Sequence, residues 1–506
     1  MFETAEVGNA VAKEAFEKEA AGLREDLLAA QKGLASSDRS LVLVIGGVEG
    51  GGKTETANLL LEWMDARGIE THALTDPSDE ERERPPMWRF WRLLPPHGRM
   101  AIFLGSWYTA PIVDRTFHRL KDAAFERELD RIADFERMLG LEGTKVVKIW
   151  MHLSKEAQRA RFRKLEKSKL TRWRVSKQDW KYQARYDAFR RISEQAIRKT
   201  STGASPWLIV EATDERYRTL TVARALLTAL RELTPVAARG AGDPGVGRSG
   251  PQAKGSPEAS GHAKREVTVL SRLDLTKKLG KKDYESKLIR YQGRLNRLAR
   301  HLYEKQRSLI LAFEGPDAAG KGGSIRRVTA ALDARQYRVI SVAAPSDEEK
   351  ARPYLWRFWR ALPRRGRITI YDRSWYGRVL VERVEGFAAE AEWKRAYGEI
   401  NGFEEQLAES GTIILKFWLT ISPEEQLERF KDRQTTPYKQ YKITEEDWRN
   451  RNRWDAYDVA ACDMIEKTST SVAPWIPVEA NDKRWARIRV LHEICRHVKG
   501  ALEKHD

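Results

Sequence analysis

Short apolar runs alternate with longer amphipathic segments along this chain. In its second half, the runs 309–313, 339–342, 368–371, 413–418 and 475–478 are rich in branched and aromatic residues and predict strands. Between and around them, the segments 283–306, 324–332, 390–410, 423–431 and 445–467 predict helices. Strand–helix alternation of this kind predicts an α/β fold, a parallel sheet with helices on both faces. A ligand site is then expected at the carboxyl ends of the strands.

The pattern occurs twice. From Pro77 the chain reads PSDEERERPPMWRFWRLLPPHGRMAIFLGSWY, and from Pro345 it reads PSDEEKARPYLWRFWRALPRRGRITIYDRSWY; without a gap, 20 of 32 positions are identical. The same offset of 268 pairs Lys53 with Lys321, Trp180 with Trp448 and Trp207 with Trp475. Chance does not hold one register across so many tryptophans, so the chain is an internal duplication. Two tandem domains, 1–233 and 266–506, are expected, joined by a flexible Gly/Pro/Ser/Ala-rich linker over 234–265. Trp356-Arg-Phe-Trp359 could stack on nucleobases, but its presence in both copies favours core packing.

Each copy carries a phosphate-cradling loop after its first strand. The first is Gly47-Val-Glu49-Gly-Gly-Gly52-Lys53-Thr54 and the second is Gly315-Pro-Asp317-Ala-Ala-Gly320-Lys321-Gly322. Between a strand and a helix, Gly-x4-Gly-Lys reads as a P-loop. Its backbone N–H groups and the helix N-terminus hold phosphate oxygens, and the lysine adds a point charge. Both copies therefore read as P-loop kinase-like domains.

The second copy adds the rest of a phosphoryl-transfer set. Asp372 ends an apolar run, where a magnesium-binding carboxylate is expected beside a P-loop; the alternative is a helix N-cap. Asp317, inside the loop, is an acid that an ordinary P-loop does not require. A basic series, Arg429, Lys431, Arg433, Lys439 and Lys442, precedes Asp447-Trp448. It reads either as a solvated helix face or as a helical lid whose cations neutralise phosphate charge.

Charge agrees with a polyanionic ligand. Lys+Arg number 91 against 73 Asp+Glu, a formal net charge of +18, and such a field favours polyphosphate, nucleotides, nucleic acid or acidic lipid. No nucleic-acid recognition motif is present. The two cysteines, Cys462 and Cys495, form no CxxC pair, which excludes a disulfide framework. With no signal peptide and no bilayer-length apolar run, a cytoplasmic location without membrane attachment is expected.

The strings Asp317-Ala-Ala-Gly-Lys-Gly-Gly, Leu355-Trp-Arg-Phe-Trp, Tyr371-Asp-Arg-Ser-Trp-Tyr-Gly-Arg-Val-Leu-Val-Glu-Arg, Glu428-Arg-Phe and Glu479-Ala-Asn481-Asp-Lys resemble the polyphosphate kinase 2 family. The resemblance covers nearly all of 270–500 and, more weakly, 30–230. The fused form resembles the class whose members make ADP from AMP and inorganic polyphosphate. That resemblance implies Mg2+ at Asp317 and Asp372, with Lys321 and Arg373 on the transferring phosphates and Arg429 and Arg433 acting from the lid. It further implies phosphate binding by Gly315, Gly320, Gly322, Gly323, Arg378 and Lys439, and nucleotide contacts from Glu382 and Arg383. An internal pseudo-dimer that further self-associates fits a fused duplication. ADP as acceptor, or ATP as donor to a nucleoside monophosphate, are the rival readings.

The first copy lacks most of this set. Asp372, Arg373, Arg378, Arg433 and Lys439 align with Leu104, Gly105, Ala110, Leu165 and Thr171, while Gly323 becomes Glu55. Leucine cannot bind magnesium, so the first copy is expected to be catalytically silent.

Overall fold

The computed structural model describes residues 1–169, 171–234, 268–436 and 443–503. Beyond Thr234 the expected linker lies outside the described residues, as do Lys439 and Lys442. The chain divides into two compact units: Met1–Ser78 with Met87–Pro244 and Pro345–Arg360, and Asp79–Pro86 with Gly245–Ala344 and Ala361–Asp506.

In the first unit, β1 (Ser40–Gly47), β2 (Ile69–Ala73), β3 (Met100–Leu104), β4 (Thr144–His152) and β5 (Trp207–Glu211) form one sheet of order β2-β3-β1-β4-β5. The second sheet contains β6 (Leu309–Glu314), β7 (Tyr337–Ser341), β8 (Ile368–Asp372), β9 (Ile413–Thr420) and β10 (Trp475–Glu479), in the matching order β7-β8-β6-β9-β10. Every pairing is parallel. The duplication thus extends from sequence to topology, and the α/β fold is as the periodicity predicts.

Both central strands are fully buried over their apolar runs, Leu41–Ile45 in β1 and Leu309–Phe313 in β6. Helices on both faces require that composition. In the first unit, Leu27 and Leu34 of the helix Lys13–Ala35 join Leu226 and Leu230 of Glu215–Leu233 in one core. In the second, Leu295 and Leu302 of Lys281–Glu304 join Leu491 and Val498 of Lys483–Glu503. Trp356, Phe358 and Trp359 are buried, which settles that block as packing.

Two boundaries differ from expectation for identifiable reasons. The helix after the second loop begins at Lys321, not Ser324, because Gly320 supplies the left-handed N-cap at φ 107°. The segment expected as one helix over 445–467 breaks at Arg453 into Glu445–Asn452 and Trp454–Thr468. Arg453 Nη1 donates to the Val384 carbonyl at 2.7 Å, a tertiary bond that helical periodicity does not encode. Arg185 breaks the corresponding helix of the first unit in the same way. Among the described residues, no helix is long and apolar enough to cross a membrane.

Candidate active site

At the sheet's topological switch point, β6 runs between β8 and β9 and delivers its carboxyl end into the second loop. Gly315 turns the chain at φ 138°, and a Cβ there would sit 2.5 Å from the Leu419 carbonyl oxygen. Only glycine fits. Lys321 Nζ donates to the carbonyls of Gly315 at 2.6 Å and Pro316 at 3.2 Å. Burial pushes the Lys321 ammonium down from its ordinary pKa, while Asp317 pulls in the opposite direction.

Asp317 is the hub of this cluster. Its Oδ1 accepts from Arg373 Nη2 at 2.7 Å and its Oδ2 from Asn450 Nδ2 at 2.9 Å. Burial opposes ionisation of Asp317, but Lys321 and Arg373 outweigh it, so its pKa is lowered and the carboxylate stays charged near neutrality. Asp372 ends β8, and its carboxylate has no hydrogen bond or ion pair among the described residues; a Cβ on Gly322 would lie 4.0 Å from its Oδ2. The N-cap reading of Asp372 gives way to Ser374, whose side chain caps the short helix Trp375–Val379.

A cavity of about 510 Å³ brings together Asp317, Gly320, Lys321, Gly322, Gly323, Asp372, Arg373 and Arg433. Arg326, Arg327, Arg487 and Asp447 complete its wall, so six cations face three carboxylates. A neighbouring cavity of about 110 Å³ has a mixed lining that includes Glu314, Gly315, Asp317, Arg373, Leu380, Val381, Trp418 and Tyr457.

Four expected residues are placed elsewhere. Arg429 is 5% exposed and gives all five of its N–H donors to protein acceptors: Glu425, and the carbonyls of Ala318, Ala319, Ala480 and Asn481. It braces the loop from behind, and with Ala318, Ala319 and Arg433 it lines a separate cavity of about 290 Å³. Arg378 lies 2.8 Å from Glu382 and lines neither cavity. Glu382 lies outside their linings too. Arg383 pairs with Asp463 at 2.9 Å, bonds the Tyr397 hydroxyl and stacks over Trp393.

Sequence reasoning overlooked Glu314, Asn450 and Arg487. Glu314 is buried at the end of β6, where it accepts from Ser374 Oγ at 2.8 Å, and it aligns with Gly46. An acid unique to the second copy at a strand end was visible in the alignment. Burial raises the Glu314 pKa against the pull of Ser374, Lys321 and Arg373. Below the ordinary carboxylate range it is protonated whether folded or unfolded. As pH rises from there to its raised folded value, only the unfolded chain loses the proton, and stability falls. Glu314→Gln is therefore expected to match the parent in acid and exceed it in stability towards neutral and alkaline pH. Urea unfolding across that range checks this, and equal midpoints throughout would contradict it.

Two non-glycine residues of the site hold left-handed backbone, Ala318 at φ 63° and Arg373 at φ 62°. Their counterparts are Gly50 at φ 78° and Gly105 at φ 81°. The first unit keeps the same turns without strain, whereas the second carries about 1–2 kcal/mol at each non-glycine. At Arg373 that strain accompanies a guanidinium held on Asp317, a placement expected where function requires the side chain. Arg373→Gly should cut turnover by about 10²-fold or more yet leave unfolding free energy within about 1 kcal/mol, as relief of strain offsets the added chain entropy. A loss of stability matching the loss of rate would refute this separation.

The polyphosphate kinase 2 family profile matches residues 10–236 and 278–506. This chain belongs to that family. The polyphosphate:AMP phosphotransferase of Pseudomonas aeruginosa is 50% identical over 505 residues, covering all of both chains. The polyphosphate:AMP phosphotransferase of Pseudomonas syringae pv. tomato is 48% identical over 509 residues, covering 100% of this chain and 98% of the relative. A crystal structure described as that of a polyphosphate kinase 2 from Pseudomonas aeruginosa superposes with a TM-score of 0.88 at 49% identity, over all of both chains. Family membership makes the chain a phosphotransferase.

Proposed function

We propose that the second unit transfers the terminal phosphoryl group of inorganic polyphosphate to AMP, giving ADP. The observation that carries this reading is the cluster Asp317–Arg373–Lys321 beside the unpaired Asp372 carboxylate, present in one unit and absent from the other. Two full-length relatives named for this reaction support the choice of donor and acceptor.

The donor's terminal phosphate binds at the amide end of the helix Lys321–Thr329, with Lys321 and Arg373 on its oxygens. Farther along, the remaining cations of the 510 Å³ cavity accept the chain. The AMP nucleoside takes the smaller cavity against Leu380, Val381 and Trp418. An α-phosphate oxygen of AMP attacks the terminal phosphorus in line while the bond to the rest of the polyphosphate breaks. That oxygen is already ionised, so no general base is needed. Catalysis is therefore positioning and charge neutralisation. Asp317 orients Arg373, and its lowered pKa keeps that pair charged.

Mg2+ fits this site through Asp372, because a hard cation takes one or two carboxylates and completes its shell with phosphate oxygens and water. Both Asp317 oxygens already accept hydrogen bonds, so Asp372 is the principal protein ligand. When bound, the ion would screen charge between donor and acceptor.

The test is product analysis with magnesium and AMP, supplied with either polyphosphate or ATP. ADP formed only with ATP would sink the reading. With polyphosphate, apparent affinity should also fall steeply as salt rises, by release of counterions from the polyanion, and that for AMP much less.

A further inference from the structure

The first unit, silent by its alignment, carries a charge that its own residues leave unanswered. Its helix Lys53–Trp63 starts at Gly52, at φ 81°, and the first amides of any helix lack intrahelical partners. Arg218, from the helix Glu215–Leu233, is 2% exposed, and its Nε and Nη1 are buried without a hydrogen-bond partner. The guanidinium lies directly against the loop: a Cβ on Gly52 would fall 2.2 Å from Nη1. Arg161 joins it there, its Cδ 3.8 Å from where a Cβ on Gly50 would be. Arg161 makes no hydrogen bond or ion pair among the described residues. Burial, and then the Arg161 charge, lower the Arg218 pKa.

The second unit handles the same place differently. Arg429, which aligns with Arg161, spends its donors on loop and strand-end carbonyls, and Ala486 stands where the first unit has Arg218. The first unit thus gained a buried cation and lost the bonds that would satisfy one. A buried guanidinium without a partner is strongly unfavourable, and such an exception in a folded chain calls for a ligand. Glu55, Asp214 and Glu215 act on Arg218 only through space. Glu55 is drawn towards Arg174 at 3.4 Å, and Lys53 is paired with Glu49 at 3.0 Å.

We infer that the first unit binds a phosphate or phosphoanhydride group at the Gly50–Lys53 end of this helix, held by Arg218 and Arg161, and does not transfer it. With Leu104 and Gly105 in place of Asp372 and Arg373, nothing there would carry the reaction forward. The group is either part of a polyphosphate chain or the phosphate of a nucleotide. The choice of probes rests on the proposed function; the site does not.

The test is calorimetric titration of the full chain with short-chain polyphosphate, inorganic phosphate and AMP, in a Lys321→Ala background that weakens the second cradle. Binding of polyphosphate or AMP should persist there and weaken at least about tenfold on adding Arg218→Met, the loss of a charge-assisted hydrogen bond. Loss in the polyphosphate titration identifies a polyanion site, and loss with AMP alone a nucleotide site. Superposable isotherms with and without Arg218→Met for all three probes would overturn the inference. Without ligand, Arg218→Met should unfold no earlier than its parent, since it removes an unpaired buried charge. If it does unfold earlier, Arg161→Gln, at a half-buried position, decides the matter by the same criterion. Turnover of polyphosphate and AMP by the unsubstituted chain is measured separately, so a failed transfer reaction and a failed second site are told apart.

Discussion

Lys321→Ala and Asp372→Asn are each expected to lower phosphoryl transfer by about 10²–10³-fold, while Lys53→Ala leaves most of the activity. Steady-state turnover of the three variants checks the contrast. Lys321 and Asp372 face one cavity with Asp317 and Arg373, whereas Lys53 pairs with Glu49 beside Leu104 and Gly105. Equal damage from Lys53→Ala and Lys321→Ala would end the division of labour between the units. The asymmetry should also resist simple repair. In a Lys321→Ala background, Leu104→Asp is expected to remain inactive. Adding Gly105→Arg meets a steric obstacle, for a Cβ at Gly105 would lie 2.6 Å from the Leu74 carbonyl oxygen at φ 81°. The missing groups act on one transition state, so their effects are coupled and not additive.

Much of this architecture was legible because it rests on local rules. Strand–helix alternation gave the parallel sheet, the Gly-x4-Gly-Lys spacing gave the loop, and one fixed offset gave the duplication. What escaped the sequence depends on long-range placement. Arg429 sits on a basic helix that reads as a lid, yet its donors reach carbonyls as far as 111 residues away in the chain. Arg378, Glu382 and Arg383 lie within a family-like string, but their ion pairs hold them off both cavities. Asn450 reaches Asp317 from the short helix Glu445–Asn452 across 133 residues of chain, which no periodicity reveals. Glu314 was accessible by comparing copies, since an acid facing a glycine at a strand end is a difference the pairing displays directly. The left-handed Arg373 is legible the same way, its counterpart being glycine.

The comparison of copies also isolates what both retain for folding alone, and there the largest stability effect is expected. Lys416 and Glu404 are fully buried and 2.7 Å apart. Lys416 Nζ also donates to the Tyr376 hydroxyl at 2.7 Å and the Thr468 carbonyl at 2.8 Å, while Glu404 accepts from Trp375 Nε1 and the Tyr376 hydroxyl. Burial drives both partners towards neutrality, raising the Glu404 pKa and lowering that of Lys416. Lys416→Met strands a carboxyl group in the interior and should cost about 3–5 kcal/mol, whereas replacing both partners by apolar residues of similar volume should cost far less. The first unit repeats the arrangement with Lys148, Glu136, Tyr108 and Thr200, its ion pair at 2.6 Å. Lys148→Met should therefore destabilise the first unit by a similar amount, although that unit lacks Asp372 and Arg373. Hydrogen exchange separates the two cases: Lys416→Met should lose protection in β6 and β9, and Lys148→Met in β1 and β4. If Lys416→Met abolished transfer while leaving β6 and β9 protected, the network would belong to the reaction and not to the scaffold. Its presence in the unit that lacks Asp372 and Arg373 argues for the scaffold.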